Sequence, residues 1–186
     1  MTAVWAKLET IEKIATLDAI LSLHADEIGE DLTRYRNHAY RVANLCAAQS
    51  PGGADTLDKV AIAAAFHDLA IWTDHTFDYL EPSVGLAHAY LASHDRTGWA
   101  DEISEMIRQH HKVTRYGGAA GPLVEPFRRS DWIDVTRGLV RFGVPRDWIG
   151  ALYARWPSEG FHRLLVRLEL EHLRHHPLNP LPVFKL

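Results

Sequence analysis

Four side chains that can bind a metal ion lie far apart along the chain: His38, the adjacent pair His67 and Asp68, and Asp131. Imidazole and carboxylate groups together suit Fe, Mn, Zn, Co or Ni, and a chain with a single cysteine cannot form the usual structural zinc site. Metal sites in helical bundles are built from residues on facing helices. These four residues therefore predict a site for one or two divalent transition-metal ions at the centre of a bundle.

The pair His67 and Asp68 restricts how its own helix must end. Consecutive residues of an α-helix point about 100° apart, so both side chains can reach one ion only where the helix ends or distorts. The run from Val60 to Phe66 is almost unbroken in apolar residues, too hydrophobic to face water on any side. We therefore expect a central helix that begins near Asp55 and presents the pair at its C-terminal end.

Apolar residues recur at spacings of three and four along most of the chain, which predicts an all-α protein. No alternating run is long enough for a sheet. We expect one helical bundle over residues 1–186, with an aromatic and acidic loop over 70–80, a Gly-rich break over 116–121 and a Pro-rich tail over 177–186. The predicted helices span about 2–24, 31–49, 55–68, 82–94, 99–112, 123–140, 146–154 and 159–175.

Composition fits one small enzyme domain. The chain has 186 residues, of which 47% are hydrophobic, and a formal net charge of −4. Because the arginines are scattered among acids, we expect a small anionic partner, with neither a nucleic-acid polymer nor a membrane surface. No segment approaches the ~18 apolar residues of a membrane span, so we expect no membrane-spanning helix. The only cysteine, Cys46, lies on an apolar helix, which favours core packing and a reducing, cytoplasmic location.

Three segments together resemble the H…HD…D signature of the HD-domain metal-dependent phosphohydrolases: YRNHAYRV at 35–42, AFHDL at 65–69 and RSDWID at 129–134. The resemblance covers roughly 35–134, and the C-terminal helices and tail follow over 145–186. It implies a single-domain bundle of the HD type with the metal at its centre. It also implies that His38, His67, Asp68 and Asp131 are ligands and that Asp68 can bridge two ions.

A second ion is suggested by IRQHH at 107–111, which resembles the HH motif of HD proteins with two or three metals. We favour His110 over His111 as a ligand, because neighbours on a regular helix cannot point the same way. The segment EPSVG at 81–85 aligns with the family's H-P-x-x-G, which places Glu81 where a histidine is usual. Alternatively His88, two helical turns later on nearly the same face, supplies that ligand.

The resemblance implies hydrolysis of a small phosphorylated compound, a nucleotide or related phosphate ester, by metal-activated water, with Asp68 as a catalytic ligand. His75 follows the HD motif on a loop and could protonate the leaving group, or it could simply order the loop. Arg41, three residues after His38, could contact phosphate, or it could pair with a ligand carboxylate.

Two departures from the family's motifs narrow the range of expected substrates. Ile71 occupies the position three residues after Asp68 where some members carry Lys or Glu, and no Gly-Tyr-Pro follows the HH pair. We therefore do not expect this chain to have the cyclic-dinucleotide phosphodiesterase activity or the nucleotidase activity of those members. The alternatives are an HD-type di-iron oxygenase and a non-catalytic module that binds a nucleotide or a partner.

The last predicted helix carries an apolar stripe. This stripe predicts a packing face made of Leu164, Leu165, Leu168 and Leu173. The face could pack within the chain or against a second subunit in a homodimer.

Overall fold

The computed structural model describes residues 9–76 and 78–175, without the side chains of 169, 171, 172 and 175. No strand occurs in these ranges, which confirms the all-α prediction. Two short 3₁₀ helices lie at Gly29–Asp31 and Thr97–Trp99. The α-helices are α1 (Ala15–Leu23), α2 (Ala25–Ile28), α3 (Leu32–Gln49), α4 (Thr56–Phe66), α5 (Ala70–Thr73), α6 (Leu80–Ser93), α7 (Ala100–Gln109), α8 (Val124–Val135), α9 (Arg146–Arg155) and α10 (Phe161–His175).

Helix α4 lies at the centre of the bundle, as its apolar run predicts. Every residue from Val60 to Phe66 is buried. Helix α4 packs against α1, α3, α6 and α7, and α8 packs against α3 and α7. Because apolar side chains surround α4 on all sides, removing them from water supplies much of the stability of the bundle. Within the described ranges, no helix is long and apolar enough to cross a bilayer.

The first helix is shorter than the predicted range of 2–24. Residues 9–14 are not helical, and residues 2–8 lie outside the described part of the chain. The Ile11 N–H donates to Asn44 Oδ1 at 2.7 Å, and the Ile14 N–H donates to the Tyr40 hydroxyl at 3.0 Å. Side chains of α3 thus satisfy backbone groups that a helix would otherwise have paired internally. The local periodicity was overridden by tertiary hydrogen bonds.

Helix α8 ends at Val135, five residues before the predicted end at 140. Arg137 and Gly138 both adopt left-handed φ values, 53° and 74°. The Gly138 N–H donates to the Ile133 carbonyl at 2.8 Å and closes the last turn. Such an arrangement terminates a helix, and glycine suits it because it has no Cβ. The loop that follows faces solvent.

The region predicted as a loop over 70–80 is partly helical. Helix α5 forms immediately after the His67-Asp68 pair, and its residues Ile71 and Trp72 are buried. The Trp72 indole N–H donates to Asp31 Oδ2 at 2.9 Å, which ties α5 to the chain ahead of α3.

The apolar stripe on α10 is divided between core and solvent. Leu164 is buried, Leu165 and Leu168 pack against the core, and Leu173 is 40% exposed. The predicted Pro-rich tail at 177–186 lies outside the described residues.

Replacement of Asn44 by Ala should lower the free energy of unfolding by about 1 to 3 kcal/mol, because it leaves the Ile11 N–H without its buried partner. Urea denaturation of the purified full chain measures this. Ser93→Ala, on the exposed end of α6, is the matched control and should change stability little. Equal stability of the two variants would contradict the role given to Asn44.

Candidate metal centre

The four separated ligand candidates meet at one point. His38 lies in the middle of α3, His67 and Asp68 follow α4, and Asp131 lies on α8. His38 Nε2 lies 2.9 Å from His67 Nε2, 3.7 Å from Asp68 Oδ2 and 3.6 Å from Asp131 Oδ1. All four side chains are buried. The prediction that these helices bring the four residues together is confirmed in geometry.

Hydrogen bonds on the far side of each ring determine which nitrogen faces the centre. His38 Nδ1 donates to an Asp134 carboxylate oxygen at 2.6 Å, and His67 Nδ1 donates to the Ala64 carbonyl at 3.0 Å. His110 Nδ1 donates to the Ile107 carbonyl at 2.6 Å. In a neutral imidazole the other nitrogen then carries a lone pair.

The three Nε2 lone pairs consequently point into the same buried space. Two of them, on His38 and His67, face each other at 2.9 Å. Lone pairs at this separation repel each other unless a proton or a metal ion lies against them. A metal-binding histidine commonly donates its second N–H in this way, which orients the ring and raises its basicity.

A second group adjoins the first and shares Asp68 with it. His38, His67 and Asp68 form one set of potential ligands, and Asp68, His110 and His111 form another, each with ligand atoms within 4.8 Å of one another. Asp68 Oδ2 faces His67 at 3.3 Å, whereas Oδ1 faces His110 at 3.4 Å. The two oxygens of one carboxylate thus face different groups, which is the arrangement needed to bridge two ions.

Asp131 also spans the two groups. Its Oδ1 faces His38, and its Oδ2 lies 3.4 Å from His111 Nδ1. Among the buried side-chain atoms with no hydrogen-bond partner are Asp68 Oδ1, Asp131 Oδ1 and His110 Nε2. Unsatisfied buried polar atoms are costly and rare. Their convergence here fits metal ions bound by these residues.

Both His110 and His111 reach the cluster, which contradicts the expectation that only one of the two neighbours could face it. Helix α7 ends at Gln109, and the two histidines lie in the turn that follows. The restriction on neighbouring side chains holds only within a regular helix. The end of α4 allows His67 and Asp68 to face the cluster together, and the end of α7 allows the same for His110 and His111.

Burial and neighbouring charges prepare the groups to bind a cation. Burial, together with the charges of His110 and His38, lowers the pKa of His67 to about 4, so this ring is neutral at neutral pH. Burial alone would raise the pKa of Asp68, but the charge of His67 and the close approach of His110 hold this pKa well below its usual range. The site thus offers a neutral imidazole beside an ionised carboxylate.

The pKa values of the two histidines in the second group are shifted in opposite directions. Burial disfavours the charged form of His110, but interactions with Asp68 and Asp131 outweigh burial and raise its pKa. Burial and the charge of His110 lower the pKa of His111. Without an ion, His110 is therefore the imidazole that most readily carries a compensating proton.

The Arg41 guanidinium is bound to protein acceptors, which contradicts the hypothesis that it contacts phosphate. The side chain is fully buried, and its Nε and Nη2 donate to the two Asp134 carboxylate oxygens at 2.5 and 2.9 Å. The remaining Nη1 donates to the Trp156 carbonyl at 2.8 Å. Arg41 instead positions Asp134, which in turn orients His38. The alternative prediction, that Arg41 pairs with a carboxylate, agrees better with the structure, although its partner Asp134 lies outside both ligand groups.

Residues from α9 and α10 complete the surroundings of His38. The Phe161 ring stacks on the His38 ring with centroids 4.2 Å apart. The Tyr153 hydroxyl and His162 Nε2 donate to the Asp134 backbone carbonyl at 2.8 and 3.0 Å. The position of Asp134 one turn after Asp131 was visible in the sequence. Nothing in the sequence marked Tyr153, Phe161 or His162 as neighbours of the site.

Three sequence candidates are not brought into the cluster. Glu81 forms a bidentate ion pair with Arg108 at the surface, at 2.7 and 2.8 Å. His88 is exposed, with Nε2 hydrogen-bonded to Ser104 Oγ at 2.7 Å. Both residues of α6 are thus turned toward α7 side chains and away from the two ligand groups. His75 is exposed in the loop after α5, with φ of 50°, and belongs to neither group.

Tyr79 lies beside the second group, a position for which the sequence motifs gave no signal. Its hydroxyl is hydrogen-bonded to His111 Nε2 at 2.8 Å, and its ring stacks over His110 with centroids 6.4 Å apart. Burial and the charges of Asp68 and Asp131 raise the pKa of the phenol well above its usual range. Tyr79 therefore stays protonated and holds the His111 ring in place.

No protein-family model, curated protein or solved structure matches this chain. The chemistry inferred for the centre therefore rests on the chain's own side chains.

The double variant His110→Ala/His111→Ala should bind about half as much metal as the unmodified chain, because it removes one ligand group and leaves His38, His67 and Asp68. Elemental analysis after reconstitution with excess Zn²⁺ or Mn²⁺ and gel filtration measures the ratio. His88→Ala is the matched control and should bind the full amount. A double variant with unchanged metal content would contradict the second site.

The substitution Asp134→Asn should weaken metal affinity about 10- to 100-fold, because it removes the charge that orients His38. Competition with a chromophoric chelator measures the affinity. The substitution Asp134→Asn also leaves the Arg41 guanidinium buried opposite a neutral amide, which should destabilise the fold. Unfolding of the metal-free protein should therefore be recorded in parallel. Asp58→Asn on the surface of α4 is the control. Unchanged affinity in a folded variant would show that Asp134 has no influence on the centre.

Proposed function

We propose that this chain is a metal-dependent hydrolase of a small phosphorylated compound, a nucleotide or a related phosphate ester. The observation that carries the proposal is the pair of buried ligand groups that share Asp68. Imidazole and carboxylate ligands with no thiolate suit catalytic rather than structural ions. The resemblance of the three motif segments to HD-domain phosphohydrolases supports the same activity.

In this proposal His38, His67 and Asp131 would hold one ion, His110 and His111 would hold the other, and Asp68 would contribute to both. Divalent transition-metal ions bound here would supply Lewis acidity, which lowers the pKa of coordinated water toward neutrality and offsets charge on phosphoryl oxygens. Arg41 and Asp134 keep the His38 lone pair directed at the centre. Tyr79 would do the same for His111 by accepting a hydrogen bond from Nε2–H, which leaves the Nδ1 lone pair on the side of Asp131.

The charges around the centre favour a substrate that binds mainly through the ions. The arginines that the sequence places near ligand positions are largely committed to carboxylates: Arg41 to Asp134, and Arg36 to Asp18 at 2.8 Å. Arg34 lies 3.2 Å from Asp31. Two divalent ions beside two carboxylates leave net positive charge, which attracts an anionic phosphoryl group. Substrate affinity should therefore depend strongly on metal.

The mixed ligand set also suits iron, which keeps the HD-type di-iron oxygenase as a second candidate. Four imidazoles and two carboxylates lie in the two groups or between them. Oxygen-dependent turnover by the iron-loaded protein, without phosphate release, would favour that candidate.

Metal-loaded protein should release inorganic phosphate from at least one member of a panel of nucleotides and small phosphate esters, and Asp68→Ala should lower the rate by about 10³-fold. Elemental analysis of the same samples shows which ion is bound. His88→Ala, with a histidine removed outside both groups, should retain activity. Metal-replete protein that turns over no phosphate ester with any divalent ion would contradict the hydrolase, and protein that binds no metal would favour a non-catalytic module.

A further inference from the structure

The loop between α8 and α9 exposes an apolar cluster to solvent. Leu139 is 84% exposed, and Val140 and Phe142 are each 39% exposed. Single exposed apolar residues are ordinary, but three within four positions form a patch of the kind that marks an interaction surface. The patch lies outside both ligand groups.

Arginines surround the same loop without acidic partners. Arg137, Arg141 and Arg146 are exposed, and the sequence from 135 to 146 contains no Asp or Glu. Within the described ranges none of the three guanidinium groups forms an ion pair or a hydrogen bond. Asp147 is the nearest acid after the loop, and Asp134 before it is taken by Arg41. The loop is therefore locally cationic on a chain of net negative charge.

Two of these arginines also share a surface cavity. Arg137 and Arg146 line a volume of about 260 Å³ together with Leu139, Ile149 and Tyr153. Guanidinium groups recognise phosphate oxygens through paired N–H donors. The cavity thus combines two guanidinium groups, which are chemically suited to phosphate, with the most exposed apolar side chain of the loop.

Hydrogen bonds from backbone N–H groups give the loop a defined shape. The Gly138 N–H donates to the Ile133 carbonyl at 2.8 Å, and the Val140 N–H donates to Thr136 Oγ1 at 3.2 Å. Phe142 adopts a left-handed φ of 46°, a conformation that non-glycine residues seldom take. The guanidinium carbons of Arg128 and Arg129 lie 5.4 and 5.5 Å from the centre of the Phe142 ring, so Leu139 is the fully projecting apolar side chain of the turn.

We propose that this loop, residues 136–146, docks on the surface of an anionic phospholipid bilayer. Exposed apolar side chains enter the boundary between headgroups and acyl chains, while arginines bind the anionic headgroups. A nucleic acid would satisfy the arginines but would leave Leu139 in water. This inference is independent of the metal centre and of the proposed hydrolase.

The proposal departs from the expectation that a chain with scattered arginines avoids membranes. That expectation considered the charge of the whole chain. At physiological ionic strength a charge is screened within about 8 Å, so the local cluster decides the attraction to a surface.

Co-sedimentation of the full chain with vesicles tests the proposal. We expect binding to phosphatidylcholine vesicles that contain phosphatidylglycerol, little binding to phosphatidylcholine alone, and release by added salt. Arg137→Gln/Arg146→Gln should lower the partition coefficient about 25-fold, at about fivefold for each arginine, and Leu139→Ser should lower it about tenfold.

Helix α10 provides matched controls. Its residues Arg167 and Arg174 are exposed, as is Val166 at 59%. Arg167→Gln/Arg174→Gln and Val166→Ser make the same chemical changes elsewhere on the surface and should leave binding unchanged. Thermal unfolding followed by circular dichroism shows whether each variant is folded.

Several outcomes would overturn the proposal. These are absent binding, equal binding to neutral and anionic vesicles, or an equal loss in the α10 controls. Tight binding to a short RNA duplex that is unaffected by Leu139→Ser would assign the arginines to nucleic acid. Displacement by inorganic phosphate beyond that by chloride of equal ionic strength, with no effect of Leu139→Ser, would assign the cavity to free phosphate.

Discussion

Three imidazole lone pairs and two carboxylates meet in the buried centre of the bundle, and this concentration of negative potential constrains the surrounding structure. His38, His67 and His110 each donate their Nδ1 proton outward, so their Nε2 atoms cannot satisfy one another. Asp68 and Asp131 add ionised oxygens to the same space. A cation, either a proton or a metal ion, is needed for such a set to be stable away from water.

The ends of two helices make this concentration possible. Helix α4 stops at Phe66 and α7 stops at Gln109, so each presents two consecutive residues to the centre. Within a regular helix one member of each pair would point elsewhere. The carboxylate of Asp68 then lies between His67 and His110, with Oδ2 facing His67 and Oδ1 facing His110.

The centre extends beyond the segments that contain its ligands. Arg41 is buried and neutralises Asp134, whose carboxylate orients His38. Backbone carbonyls and rings from the chain after residue 150 complete this arrangement, because Trp156 accepts from Arg41 and Phe161 stacks on His38. Residues in and beside α9 and α10 therefore contribute to the candidate metal centre, because they form the outer hydrogen bonds and ring contacts that hold Arg41, Asp134 and His38 in place.

Apolar periodicity determined the all-α class and the central position of α4. The meeting of His38, His67, Asp68 and Asp131 was predicted from their ligand chemistry together with the resemblance of three motif segments to the HD signature. The sequence failed where a neighbour supplied the deciding contact. Asn44 and Tyr40 kept residues 9–14 out of α1, and the end of α7 brought in His111.

The rotation of each helix about its own axis was decided only by tertiary packing. Glu81 and His88 are chemically suitable ligands, but α6 turns them toward Arg108 and Ser104. Arg41 is equally suitable for phosphate, but α3 buries it against Asp134. Sequence determines which side chains can bind an ion, whereas the packing of whole helices decides which of them face it, because that rotation depends on contacts with every neighbouring helix at once.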